Sequence, residues 1–219
     1  LSMRAAVRAH VGATAATQHG LDRERAEEAR QYLREAAGFL DDVPPAIVAI
    51  GGISGTGKTT LARALAPHLG RAPGAAVVRS DVIRKQRFGV AETEHLPQAA
   101  YQQTVSRRVM AEVHRRAGRL AGFGSAVIAD TVYGRRADRR GIAEAAGRAG
   151  VPFQGVWLEL PVEEAKARVD ARKGDASDAT REVVALQVDS VVAPADWLHL
   201  DARRPIRDLV AAVLDALGN

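Results

Sequence analysis

The spacing of apolar residues changes character near residue 46. Before it, the chain has helical periodicity. Arg4 to Thr17 is Ala-rich, and Ala29, Tyr32, Leu33, Ala36, Ala37 and Leu40 form a stripe after the break at His19-Gly20. Asp41-Asp42-Val43-Pro44-Pro45 ends this pattern as a short stiff linker. Beyond it, strand-length apolar runs alternate with longer amphipathic ones. Strands are predicted at 46–51, 75–79, 125–129, 153–160 and 197–200. Helices are predicted at 58–68, 81–88, 97–121, 135–149, 162–173, 178–191 and 205–217. Strands separated by crossover helices predict an α/β three-layer sandwich, a five-stranded parallel sheet with helices on both faces. Residues 3–43 then form an N-terminal helical appendage with its linker, and 44–219 the main domain. The appendage reads either as a helical pair on the edge of that domain or as the tail of an upstream one.

The first strand run, Ala46 to Ile50, leads into Gly52-Ile53-Ser54-Gly55-Thr56-Gly57-Lys58-Thr59. This fits G-x-x-x-x-G-K-[ST], the phosphate-binding loop, in the strand–loop–helix context the motif requires. Glycines let the backbone curl so that several N–H groups face one concavity. The following helix points its positive end at the same place. Gly52, Ser54, Gly55, Thr56, Gly57, Lys58, Thr59 and Thr60 are the expected nucleotide-binding residues. Lys58 would meet the β/γ-phosphates and the Thr59 hydroxyl would ligate Mg²⁺. The predicted fold is thus a P-loop NTPase.

Composition narrows the partners. The chain has 219 residues, 47% apolar and 26% charged, the proportions of an ordinary globular protein. No apolar run approaches the roughly 18 residues needed to span a bilayer, so no membrane partner is expected. Cysteine is absent, which excludes disulfides, thiolate metal sites and thiol catalysis. With no secretory pattern at the start, the cytoplasm is the expected location. The net charge of +5 invites nucleic acid. The arginines, however, are dispersed among acids, and aromatic residues make up only 4%. Nucleic acid is therefore the minor alternative.

The C-terminal ends of the strands should hold the chemistry. Asp81 follows the second strand, where a carboxylate can accept a hydroxyl proton, hold Mg²⁺, or cap the next helix. Arg84 and Lys85 lie one turn on and would hold an anionic group or remain solvated. Asp130-Thr131 ends the third strand, a place for a second Mg²⁺-linked acid. Of Arg135, Arg136, Arg139 and Arg140, Arg139 is the choice for an inward side chain. Arg168 and Arg172, four apart, share a helical face ahead of the polar loop Lys173 to Asp178, which has the features of a lid. A lid arginine can stabilise a migrating phosphoryl group; the alternative is a surface pair. Asp175 and Asp178 are expected to cap the next helix. His95, His114 and His199 show no ligand spacing. Trp157 and Trp197 are expected in strands, within the core.

Together these residues resemble the P-loop small-molecule kinases, among them gluconate, shikimate and chloramphenicol kinases, zeta-type toxins and polynucleotide 5′-kinases. The nearest resemblance is to the C-terminal ATP-binding domain of bifunctional aminoglycoside phosphotransferase/ATP-binding proteins. It is carried by Gly51 to Ala62, by Arg79 to Lys85 and by Gly174 to Ala179, and spans about residues 46–217. Residues 3–40 resemble the end of the fused upstream phosphotransferase-like domain. The resemblance implies ATP- and Mg²⁺-dependent transfer of the γ-phosphoryl group to a hydroxyl of a small molecule, whether metabolite, sugar or antibiotic. It implies Lys58, Asp81 and Arg168 or Arg172 as catalytic residues, with Asp81 as base. Asp81, Arg84, Asp130, Thr131 and Arg139 would lie on the acceptor side; Thr59, Asp81 and Asp130 would lie near the metal. Adenine is expected near Asp201 to Pro205. The Gly-rich second motif of shikimate kinases is missing, so that acid is not the expected substrate. Two alternatives stay open: a polynucleotide 5′-hydroxyl or nucleotide-sugar kinase, and an ATP-binding or hydrolysing regulatory module of a bifunctional phosphotransferase.

Overall fold

The computed structural model describes residues 1–18, 22–41, 43–171 and 176–218, in two units, Leu1–Val43 and Pro44–Asn219. In the first unit α1 (Ser2–Gln18) and α2 (Arg23–Gly38) run antiparallel. Ser2 Oγ donates to Ala36 O at 2.9 Å, and Arg8 Nη1 to the Tyr32 hydroxyl at 3.1 Å. The Asp22 carboxylate starts α2 by accepting from the N–H groups of Glu24 and Arg25. The expected apolar stripe is corrected here. Ala29 and Ala36 are buried, whereas Leu33 and Leu40 are 60% and 72% exposed. Small side chains let the helix backbones approach, so the contact runs along the alanines and Tyr32.

The second unit holds β1 (Ile47–Gly51), β2 (Ala76–Arg79), β3 (Val127–Asp130), β4 (Phe153–Glu159) and β5 (Leu198–Asp201). They form one parallel sheet in the order β2-β3-β1-β4-β5. β1 lies at the centre, and Ile47, Val48, Ala49 and Ile50 are wholly buried. That explains its unbroken apolar sequence: in a doubly covered strand both faces are inside. Ile47 and Ala49 join the layer formed by α4 (Ser80–Phe88), α5 (Gln103–Gly122) and α6 (Arg136–Ala149). Val48 and Ile50 join the opposite layer, formed by α3 (Lys58–Leu65) and α9 (Ile206–Leu217). Burying each such Ile or Val side chain stabilises the fold by about 1.5–3 kcal/mol. The remaining helices, α7 (Val162–Asp170) and α8 (Arg181–Ser190), carry a small cluster of their own around Ala165, Val169 and Val184.

The predicted elements are present, with shifted ends. The expected helix 58–68 stops at Leu65 and tightens into a 3₁₀ turn around Pro67. The expected helix 97–121 is divided: a 3₁₀ turn, Gln98–Tyr101, precedes α5, and Gln102 between them is extended at ψ 149°. Trp197 is not in a strand; it sits in the turn just before β5. It is a core residue nonetheless, edge-on to Tyr133 and Phe153 and seated over Gly155 of β4, where a Cβ would collide with its ring. No helix among the described residues is long and apolar enough to cross a membrane.

Candidate active site

The chain leaves β1 for the β2–β3 side of the sheet and later returns to build β4 on the other. The crevice at the tips of β1 and β3 is therefore the topological switch point of the sheet. Register places Asp130 level with Ile50 on one side and Arg79 on the other. Loop 52–57 leaves β1 there, and α3 begins at Lys58 with its N-terminal end toward the loop.

Two glycines make the loop possible. Gly52 and Gly55 have φ of 134° and 89°, a region L side chains rarely enter. A Cβ on either would also strike backbone, the Leu158 carbonyl at Gly52 and Ala165 at Gly55. The loop is thus pressed against β4 and α7. Lys58 Nζ and Thr56 Oγ1 both donate to Ile53 O, at 2.8 and 2.9 Å. The Thr59 hydroxyl donates to Asp130 Oδ2 at 2.6 Å, and Arg79 Nε lies 3.5 Å from the same oxygen.

This loop forms one wall of a cleft of about 1120 Å³. Ser54, Gly55, Gly57, Lys58, Thr59 and Thr60 line it, as do Asp81 and Arg84 on α4 and Asp130 and Thr131 at the tip of β3. Burial pushes the Asp81 carboxyl above its ordinary value and the charge of Asp130 adds to this, against Lys58, Arg79 and Arg84. Thr131 is buried, with its hydroxyl against Met110 Sδ. The Arg84 guanidinium lies over the Tyr101 ring at 4.8 Å, and its Nη1 donates to Ala100 O at 2.6 Å. Arg135 and Asp138 pair through two hydrogen bonds at the cleft's edge.

The structure does not bring every expected residue to the cleft. Lys85 parts from Arg84: it is 1% exposed and donates to Glu92 O and Asp178 Oδ1. Asp178 does not cap α8, which begins at Arg181 after an extended Thr180. Its carboxylate instead accepts from Lys85, from Leu96 N–H and from the Tyr101 hydroxyl, with His95 Nδ1 at 3.2 Å. Arg139 is not a cleft-lining residue; its Nη1 donates to the carbonyls of Tyr133, Gly134 and Val192. Arg168 lies beside the loop, with Nη1 3.8 Å from where a Gly57 Cβ would be. Its Nη2 donates to Ala202 O at 3.4 Å, on the β5 side. Arg172 and the lid residues Lys173, Gly174 and Asp175 lie outside the described residues. Sequence reasoning missed Tyr101 and Gln187, whose Oε1 accepts from Ser54 N–H at 2.7 Å. A lone Gln on an amphipathic helix carries no spacing signal.

Such a site suits an anion held by backbone N–H groups, a helix N-terminus and a lysine. A Mg²⁺ ion also fits its chemistry. Thr59, Asp130 and Asp81 offer only oxygens, and the two acids repel each other's charge until a cation lies near them. The described residues hold no group of three or more His, Cys, Asp or Glu able to bind a metal by themselves. Phosphate oxygens would have to complete the shell.

Curated relatives include the uncharacterized proteins Rv2004c of Mycobacterium tuberculosis and Mb2027c of Mycobacterium bovis. Each is 32% identical over 204 residues, which cover 90% of this chain and 39% of the relative. The chain thus spans about two fifths of their length. Among solved structures, a sugar kinase from Janibacter sp. HTCC2649 aligns with TM-score 0.60 and 22% identity, over 80% of this chain and 95% of that one. A gluconokinase from Sinorhizobium meliloti 1021 aligns with TM-score 0.56 and 20% identity, over 81% and 94%. The APS kinase CysC of Mycobacterium tuberculosis, in complex with AMPPNP and APS, aligns with TM-score 0.60 and 17% identity, over 81% and 99%. They share the α/β P-loop fold. A match to the AAA domain family runs from residue 47, at the start of β1, to residue 194, past α8. The chain belongs to this family, with the P-loop kinase-like fold of those neighbours.

Proposed function

We propose that this protein transfers the γ-phosphoryl group of ATP to a hydroxyl of a small polar molecule. One observation carries the reading: Asp81, its carboxyl pushed up, faces the same cleft as Lys58 and the Thr59–Asp130 pair. A P-loop that only bound nucleotide would need no such base in the cleft, and one that only hydrolysed it would use the base on water, so transfer to an added acceptor is what separates the readings. The acceptor oxygen attacks the γ-phosphorus as the bond to the β–γ bridging oxygen breaks, and ADP leaves. Asp81 takes the hydroxyl proton. Lys58 and the loop amides hold the phosphates. With Asp81 as base, Thr59 and Asp130 are the residues that would hold Mg²⁺, which would supply charge neutralisation at the phosphates. Arg84 borders the acceptor side, and Arg168 lies on the nucleotide side of the loop. That proteins of this fold include a sugar kinase, a gluconokinase and an APS kinase supports the reaction class, without naming an acceptor.

The test is transfer of labelled phosphate from ATP across sugars, polyols, aminoglycosides and a 5′-hydroxyl oligonucleotide. Lys58→Ala should abolish it; full turnover by that variant would sink the assignment. Transfer to the oligonucleotide alone would favour the end-kinase reading. A second reading is supported by the much longer relatives: the unit is an ATP-binding module of a larger phosphotransferase. Tight ATP binding with no transfer to any acceptor would favour that reading instead.

A further inference from the structure

We propose that Gln187 is a phosphoryl-contacting residue, presenting its amide nitrogen to the terminal phosphoryl group from the α8 wall of the cleft. The proposal takes from the reading above only that loop 52–59 holds a nucleoside triphosphate.

The orientation of the Gln187 side chain follows from its partner. Ser54 N–H can only donate, so the amide atom 2.7 Å from it is Oε1, and Nε2 is the amide atom left for another partner. Gln187 is half-buried and lines the cleft together with Lys58, Thr59 and Asp81. No protein acceptor for Nε2 occurs among the described residues. Gln187 lines the cleft beside the phosphate loop, so the two N–H donors of Nε2 are the side-chain groups it can offer a ligand there.

Position is fixed as well as orientation. Ile53 C=O and Ser54 N–H belong to one planar peptide group. Lys58 Nζ holds its oxygen and Gln187 its nitrogen, so the two side chains are registered to each other through a rigid unit. α8 is anchored at both ends: Asp178 ahead of it binds Lys85, Leu96 N–H and Tyr101, and Val192 O beyond it accepts from Arg139. A donor held this way meets developing phosphoryl charge without reorganising. Being neutral, it adds no second cation beside Lys58.

The experiment measures ATP and ADP affinities calorimetrically, with Mg²⁺, for the full chain and for Gln187→Glu and Gln187→Ala. Glu keeps an acceptor for Ser54 N–H but replaces the donor with an anionic oxygen. Both variants should weaken ATP binding about tenfold or more, as loss of a hydrogen bond to a charged group does, and leave ADP binding unchanged. Wild-type ATP affinity in Gln187→Glu overturns the proposal. Equal losses of ATP and ADP also overturn it, because Gln187 would then act only by shaping the loop. The ADP measurement and thermal unfolding report whether each variant is folded. If the wild type binds neither nucleotide, or Lys58→Ala binds both as well, the phosphate-loop reading falls and the proposal with it. Turnover plays no part in the readout, so a missing acceptor bears on the kinase reading alone.

Discussion

The hydroxyl of Thr59 donates to Asp130 Oδ2 at 2.6 Å, joining the first turn of α3 to the tip of β3 across the switch point. The two residues are 71 apart in sequence, and only the β1–β3 register, with Ile50 opposite Asp130, brings them together. The phosphate loop and the acidic strand tip are therefore held as one piece. Asp130 is only 5% exposed, so the hydroxyl is one of the few donors that satisfy its carboxylate.

Thr59→Ala removes this donor from a buried carboxylate and should cost about 1–3 kcal/mol of stability, read as a shift in the urea midpoint with unchanged slope. Thr59→Ser keeps the hydroxyl and should stay close to wild type. The Ala variant should also show a weaker Mg²⁺ dependence of nucleotide binding, since one oxygen of the donor set is gone. A Ser variant as unstable as Ala would mean that the Thr methyl, not the hydroxyl, carries the effect.

Asp81→Asn should separate chemistry from stability. If Asp81 is the base, turnover falls about 10²–10⁴-fold while ATP binding changes little. A parallel fall in both would make Asp81 a metal or structural residue. Stability should move the opposite way. Burial and Asp130 raise the Asp81 carboxyl above 3.8 in the folded chain, so folding retains a proton that the unfolded chain has released. The carboxylate's penalty is absent below pH 3.8 and grows as pH rises through the folded value. Asn carries no such penalty. Its melting temperature should exceed that of wild type at pH 7, and the gap should close as the pH is lowered toward 3.8.

What the sequence made legible was whatever depends on local pattern. The phosphate loop is read from eight consecutive residues because its curl, its helix and its lysine are all local. β1 is read from an unbroken apolar run because a central strand has no polar face. Asp81 and Asp130 were found because strand tips can be located from strand ends. Long-range pairings escaped. Asp178 looked like a helix cap because it stands two residues before Thr180 and α8, yet its partners lie 77 to 93 positions away. Lys85 looked like a companion of Arg84, but a step of one residue on a helix turns a side chain by about 100°, here out of the cleft and into the protein. Gln187 had no pattern to betray it. Its contact with the phosphate loop is a single N–H presented 133 residues earlier.

The Lys85–Asp178 pair supplies the last prediction, through an asymmetry between its members. Lys85 is 1% exposed, and its other hydrogen-bond partner is the Glu92 carbonyl. Asp178 has the Tyr101 hydroxyl and Leu96 N–H in addition to the lysine. Asp178→Asn therefore strands a buried ammonium and should cost about 3–5 kcal/mol, whereas Lys85→Met leaves a carboxylate with donors and should cost less. The double variant should be more stable than the sum of the two losses implies, which a urea cycle reads directly. Equal single losses that simply add would show that the two groups do not interact. The pH dependence gives an independent check. Burial alone would raise the Asp178 carboxyl, but hydrogen bonds from Tyr101, Lys85 and Leu96 together hold it below 3.8. Its stabilisation is thus full above that pH and is lost as the pH falls through the lower folded value. Wild type and Asp178→Asn should differ most near neutrality and converge in acid.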